Sequence, residues 1–378
     1  MVIREVMKQF NPLPGLILYI HNDLMNIILK LLLTGVFYSC TVVSHNPVQT
    51  DISAAAGSSN KDIEWIKSRT KSLSAGSWYM LMEYDALPSN PTAPSVGGGT
   101  VSTKKSTDTF YYLGGRTRLD LLNNMETNVH EIAHGYFMQN VFKYVSENNL
   151  AIDWDNVEGY IYLNPGRSFF ISFPKKYLFP SAELAPLIPK NLRTFRFSPY
   201  IVGNTATQDY GVIGLLDELH AYYLGSRYSY DMLEAYKEAQ GSESDGLFEW
   251  VKQSQSTMAA FYEFDFFIRK YLLRMKTTFP KDYTALRSYR PFGEAYGTLR
   301  TAYEEIINMY HERIRTEIRN LNSSGKSTAW IENGQIWIKA KGSRTSNGTQ
   351  LFSEDRDKLL PELRSNRYDE VMKDFRIN

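Results

Sequence analysis

The sequence predicts an α+β fold, mostly helical with a small sheet, and three observations carry that expectation. Apolar residues recur at three- and four-residue steps through long runs, one of them free of proline from Arg118 to Asn148. Short β-type runs come in pairs around turn residues. Gly159-Tyr-Ile-Tyr-Leu and Ser168-Phe-Phe-Ile-Ser-Phe flank Asn164-Pro-Gly, and Trp330-Ile-Glu and Gln335-Ile-Trp-Ile flank Asn333-Gly334. At 378 residues and 43 % hydrophobic content, the chain can build one large core or two modest ones.

Taken in order, the chain starts with residues 1–24, which read as upstream sequence with a second start at Met25. From Met25, a basic start and an apolar run lead to Ser39 and Cys40, the chain's one cysteine. That stretch resembles a bacterial lipoprotein signal peptide, which implies cleavage before Cys40 and a lipid on it. The expected location is then the cell envelope, lipid-anchored at the outer membrane on its periplasmic or surface side. Lipidation of Cys40 would leave no thiol for a disulfide or a cysteine nucleophile. Residues 41–60 are small and polar, a flexible tether. Lys61-Asp-Ile-Glu-Trp-Ile begins a helix, Trp78-Tyr-Met-Leu-Met-Glu-Tyr84 suits a buried strand, and residues 88–108, rich in Pro, Gly, Ser and Thr, suit a mobile loop. Thr109-Phe-Tyr-Tyr-Leu113 suits a strand before the helix at Arg118.

Residues 180–199 are proline-rich and read as an ordered loop. Helices are expected at about 228–240, 247–277 and 292–320, the last carrying His311 on a charged surface. The Trp330 hairpin and two short helices close the chain. The expected division is a signal segment (1–40), a tether (41–60), a catalytic domain (61–320) and a C-terminal hairpin with helices packed on it (321–378). Lys and Arg number 42 against 41 Asp and Glu, a net charge of +1, so nothing calls for a nucleic acid or another charged polymer as partner. Tyrosine is abundant, 26 residues, which suits either ordinary packing or an aromatic platform for sugar or peptide groups.

Chemistry concentrates in Thr127-Asn-Val-His130-Glu131-Ile-Ala-His134-Gly-Tyr136. Four residues apart on a helix, His130 and His134 share a face and can grip one Zn²⁺, while Glu131 stands beside the metal's open position to take a proton. Leu122, Met125, Val129, Ile132 and Tyr136 form a separate apolar stripe on the same helix. Random placement of 6 histidines would give this pattern in only about one such chain in two hundred.

A third protein ligand must come from elsewhere. In Asp209-Tyr-Gly-Val-Ile-Gly-Leu-Leu-Asp-Glu-Leu-His-Ala-Tyr-Tyr-Leu-Gly225, Glu218 shares its helix face with Gly211, Gly214, Ala221 and Gly225. Small neighbours there would let a short carboxylate come close to the metal helix. Asp217, His220 and Asp209 compete with it.

The His130–His134 stretch resembles the HExxH signature of zincin metallopeptidases. The metzincin continuation is excluded, because Phe137 and Asn140 stand where that branch has Gly and His. A His-His-Glu set resembles the gluzincins, and the likeness covers about residues 118–235. It implies a zincin-like fold with a sheet edge beside the metal helix, for which Thr109–Leu113 is the candidate. In many gluzincins an acidic residue one turn after the Glu ligand orients a histidine; here that place holds Tyr222, so the support must come from elsewhere.

The expected function is zinc-dependent hydrolysis of a peptide or protein substrate at the membrane. His130, His134 and Glu218 would hold Zn²⁺, Glu131 would act as base, and Tyr210 would donate to the oxyanion, with Tyr222, Tyr223 and His220 as competitors. The alternative is a non-catalytic glycan- or peptide-binding lipoprotein that retains the fold.

Overall fold

Residues 59–377 are described by a computed structural model, and they are mostly helical with small antiparallel sheets. The expected signal segment and Cys40 lie outside the described residues. In chain order come α1 (Asn60–Leu73), α2 (Ala75–Asp85), the hairpin β1 (Thr92–Pro94) and β2 (Thr100–Ser102), and α3 (Arg118–Glu147). The hairpin β3 (Asn156–Asn164) and β4 (Arg167–Pro174) follows, then short helical turns through Tyr210 and α4 (Gly211–Asp231). Four more helices follow: α5 (Leu233–Gln240), α6 (Glu243–Thr278), α7 (Pro280–Ser288) and α8 (Arg290–Ser324). A three-stranded sheet of β5 (Ser327–Glu332), β6 (Gln335–Ala340) and β7 (Asn347–Gln350) precedes α9 (Glu354–Leu363) and α10 (Asp369–Asp374).

The metal-motif helix α3 starts where its sequence says it should. Thr117 accepts the Asp120 N–H at 3.1 Å, and the Asp120 carboxylate accepts the N–H groups of Arg116 and Thr117, each at 3.0 Å. This reciprocal cap satisfies donors that the first turn leaves free. The expected stripe from Leu122 to Tyr136 is fully buried. Helix α4 exceeds its expectation. From Gly211 to Ser226 every residue except Tyr222 is buried, because α3, α6 and α8 enclose it.

Two expected strands are absent. Residues 78–84 belong to α2, where Ser77, Met80, Leu81 and Tyr84 are buried at helical spacing, and Met, Leu and Glu favour that state. Residues 109–113 form turns rather than an edge strand. Asn128 of α3 holds them, donating to the Thr109 carbonyl at 2.9 Å and accepting the Tyr112 N–H at 3.2 Å. The sheet beside the metal helix is instead β3–β4, the hairpin expected to turn at Asn164-Pro-Gly. Residues 88–108 include β1 and β2, joined through Gly97, Gly98 and Gly99, all at positive φ.

Asn333 (φ 51°) and Gly334 (φ 73°) make the tight turn expected between β5 and β6. One apolar core runs from Ile66 to Ile377, so the C-terminal hairpin and helices share it with the rest. Among the described residues no helix is long and apolar enough to cross a membrane.

Candidate metal centre

Two buried helices, α3 and α4, lie side by side and bring the motif together with residues more than eighty positions away. His130 Nε2 and His134 Nε2 are 3.3 Å apart, and Glu218 Oε2 is 3.4 Å from His134 Nε2. All three potential ligand atoms lie within 4.8 Å of one another. His130 is 8 % exposed, His134 9 % and Glu218 1 %. Glu218 Oε2 has no hydrogen-bond partner despite its burial. Four ligands at about 2.0–2.1 Å around zinc stand about 3.3 Å from one another, close to the two separations seen here. Two imidazole nitrogens and an orphaned carboxylate oxygen facing one point therefore fit a small cation.

The flanking residues sort the rivals. Asp217 is not a third ligand; its Oδ2 lies 2.9 Å from His134 Nδ1, on the far side of the ring. It supplies the orienting carboxylate that could not be placed from the sequence. His220 faces away and donates from Nε2 to the Tyr162 carbonyl at 2.8 Å, tying α4 to β3. Burial lowers it to about 3, so the ring is neutral. Asp209 is exposed. Tyr223 is buried against Tyr303.

The small residues on α4 act differently from their expected role. A Cβ on Gly214 would stand 1.8 Å from the Thr207 carbonyl oxygen, so this glycine admits the turn at Ala206–Tyr210 rather than the metal helix. That turn places Thr207 Oγ1 3.2 Å from Glu218 Oε1 and fixes the carboxylate. Gly225 is the one that faces α3, at ordinary contact distance from Glu126.

Electrostatics follow from burial and two adjacent carboxylates. Burial alone would lower His134, but Asp217 and Glu218 outweigh it and hold the ring well above the usual histidine value. His130 is lowered, first by burial and then by the positive charges of His134 and Arg196. Glu131, half-buried, is raised by burial, with Glu218 and Asp217 adding to the shift and His134 opposing it. A raised carboxylate beside a cation site suits proton transfer.

Tyr210 is half-buried at the start of α4. The tyrosine set against the histidines is Tyr222, its ring 4.3 Å from that of His130. The Arg196 guanidinium lies over the other partner of this stack, 4.3 Å from the Tyr222 ring, and is anchored by the buried Glu263 at 2.6 Å. Tyr222 Oη and Tyr200 Oη share a hydrogen bond of 2.9 Å. Arg196, Tyr200 and Thr207 come from the irregular segment before α4 and carry no local spacing signal. Tyr222 could be found, since it lies one turn beyond Glu218.

Fold and site together define a helical α+β protein with a buried His-His-Glu group able to hold a metal ion. No protein-family model matches the chain, and no curated protein or solved structure is significantly similar to it.

Proposed function

We propose that the protein is a zinc metallopeptidase of gluzincin type, with His130, His134 and Glu218 as ligands and Glu131 as general base. The observation that supports this most is the convergence of the two Nε2 atoms and the unpartnered Glu218 Oε2, with Asp217 behind His134. When bound, zinc would supply Lewis acidity, polarising a substrate carbonyl and making a water acidic enough to attack near neutral pH. The chain's own residues do the rest. Asp217 fixes the His134 tautomer so that Nε2 presents its lone pair, and Thr207 holds the Glu218 carboxylate. Glu131 accepts the proton and passes it on to the leaving amine.

Glu131→Gln tests the reading, because it keeps size and removes the base. Zinc content and folding should stay, while peptide hydrolysis falls by about 10²–10⁴-fold. A Glu131→Gln protein that cleaves a peptide library as fast as the parent removes Glu131 from the mechanism. Parent protein that binds zinc and cleaves nothing favours the non-catalytic binding lipoprotein. The location at a membrane rests on Met25–Cys40. Cys40→Ser should leave the chain unprocessed or free of the membrane, and unchanged fractionation with unchanged mature mass would count against the lipid anchor.

A further inference from the structure

The two histidines of the metal centre are held in different ways. His134 has Asp217 behind it, 2.9 Å from Nδ1. His130 is different. Its Nε2 faces the other ligand atoms, so a proton on Nδ1 leaves the Nε2 lone pair free for a metal. Among the described residues no acceptor takes that proton; the Ala221 carbonyl lies nearby, outside hydrogen-bonding geometry. A ligating histidine is almost always fixed by a hydrogen bond from its second nitrogen. Without one, the ring can pivot about its Cβ–Cγ bond, a torsion with broad preferences.

A stack of side chains supplies the missing restraint. Tyr222 stands one turn beyond Glu218, on the same side of α4, and its ring centroid is 4.3 Å from that of His130 at 63°. Tyr222 is itself held at three points. The Arg196 guanidinium lies 4.3 Å from its ring centre, Phe264 of α6 stacks on it at 5.4 Å, and its Oη bonds Tyr200 Oη at 2.9 Å. Arg196 is fixed in turn by α6. Its backbone N–H and Nη1 donate to the two Glu263 oxygens at 2.8 and 2.6 Å, and Nη2 donates to the Ser256 carbonyl at 3.1 Å. Arg196 is 5 % exposed and Glu263 fully buried. As a pair they add no net charge beside a bound cation.

We propose that Tyr222, clamped by Arg196, is a positioning residue that aims the His130 imidazole at the metal by ring contact rather than by a hydrogen bond. The inference rests on the reading of His130 as a metal ligand. It assigns Tyr222 to the affinity and geometry of the metal site, not to the chemical step.

The full chain, Tyr222→Phe and Tyr222→Leu are compared by chelator competition for zinc and by the visible spectrum of the cobalt-substituted form. Tyr222→Phe keeps the ring and loses the hydroxyl, so its affinity should stay within about twofold of the parent's, with unmoved cobalt bands. Tyr222→Leu removes the ring. Its affinity should fall about 10-fold or more, and the cobalt bands should shift. A residue that only packs the core would change the denaturation midpoint and leave both readouts alone. Tyr222→Leu with parental affinity and spectrum, or Tyr222→Phe as weak as Tyr222→Leu, overturns the proposal and leaves the metal centre standing. A parent that binds neither zinc nor cobalt removes the metal centre and this inference together. If Tyr222→Leu fails to fold, Arg196→Met combined with Glu263→Gln decides, since it removes the clamp and leaves no buried charge unpaired. Affinity should then fall about threefold or more, and an unchanged value overturns the proposal.

Discussion

Asp217 and Glu218 are neighbours in sequence, yet the structure gives them two faces of one imidazole: Asp217 reaches His134 Nδ1 and Glu218 reaches Nε2. Consecutive residues on a helix diverge by about 100°, which is enough to send one carboxylate behind the ring and the other in front. The rear carboxylate accepts the Nδ1 proton, keeps the lone pair on Nε2 and raises the ring's basicity. With zinc at the proposed site, Asp217→Asn should therefore keep the fold but weaken zinc affinity by about 10–100-fold. Competition with a chelator measures this, and an affinity equal to the parent's would reduce Asp217 to a packing residue.

Helix α4 is where residues conventionally read as helix-weakening do local work. Gly214 clears the Thr207 carbonyl, and Gly225 merely touches Glu126. Gly214→Ala must push a backbone segment aside. It should cost about 1–3 kcal/mol and weaken zinc binding, because Thr207 then leaves Glu218. Gly225→Ala meets its neighbours at 3.7 Å and gains helix propensity, so its denaturation midpoint should equal or exceed the parent's. If the two substitutions cost the same, Gly214 does not carry this local role. The contrast also shows what could be read from the chain. Spacing within one helix singled out His130 and His134, and with Glu218 they form a group able to hold a metal ion, although the small residues that drew attention to Glu218 turn out to serve other contacts. Asn333-Gly334 located its hairpin, because that turn is a local preference. The Trp78 segment misled because aromatic residues favour strands, whereas burial at Ser77, Met80, Leu81 and Tyr84 follows a helix. Thr109–Leu113 misled because its Thr109 carbonyl and Tyr112 N–H bond to the Asn128 side chain, a contact no pattern within those five residues encodes. Arg196 and Thr207 were invisible for the same reason: their partners, Tyr222, Glu263 and Glu218, lie far along the chain.

At the scale of the whole molecule, α3, α4 and α6 meet at a buried carboxylic acid, one turn before His130. Glu126 is 7 % exposed; its Oε1 accepts from Thr257 Oγ1 at 2.6 Å and its Oε2 from Gln253 at 3.0 Å, while Gly225 of α4 lies against it. Burial raises its pKa from an ordinary 4.5 to about 7, against the pull of those hydrogen bonds. The sign of the consequence follows from proton counting. Between about 4.5 and 7 the folded chain holds a proton that the unfolded chain has released, so stability falls as pH rises through that window. Above it both states are ionised, and the folded state bears the full cost of a buried charge, about 3 kcal/mol. Glu126→Gln keeps an acceptor for Thr257 and removes the charge. Its stability should match the parent's near pH 4.5 and exceed it near pH 8.5, the gap opening across the window just given. Denaturant midpoints should be taken with metal chelated throughout, so that the pH dependence of zinc binding does not enter. A constant difference between the two proteins at both pH values would mean that Glu126 is not the titrating group at this junction.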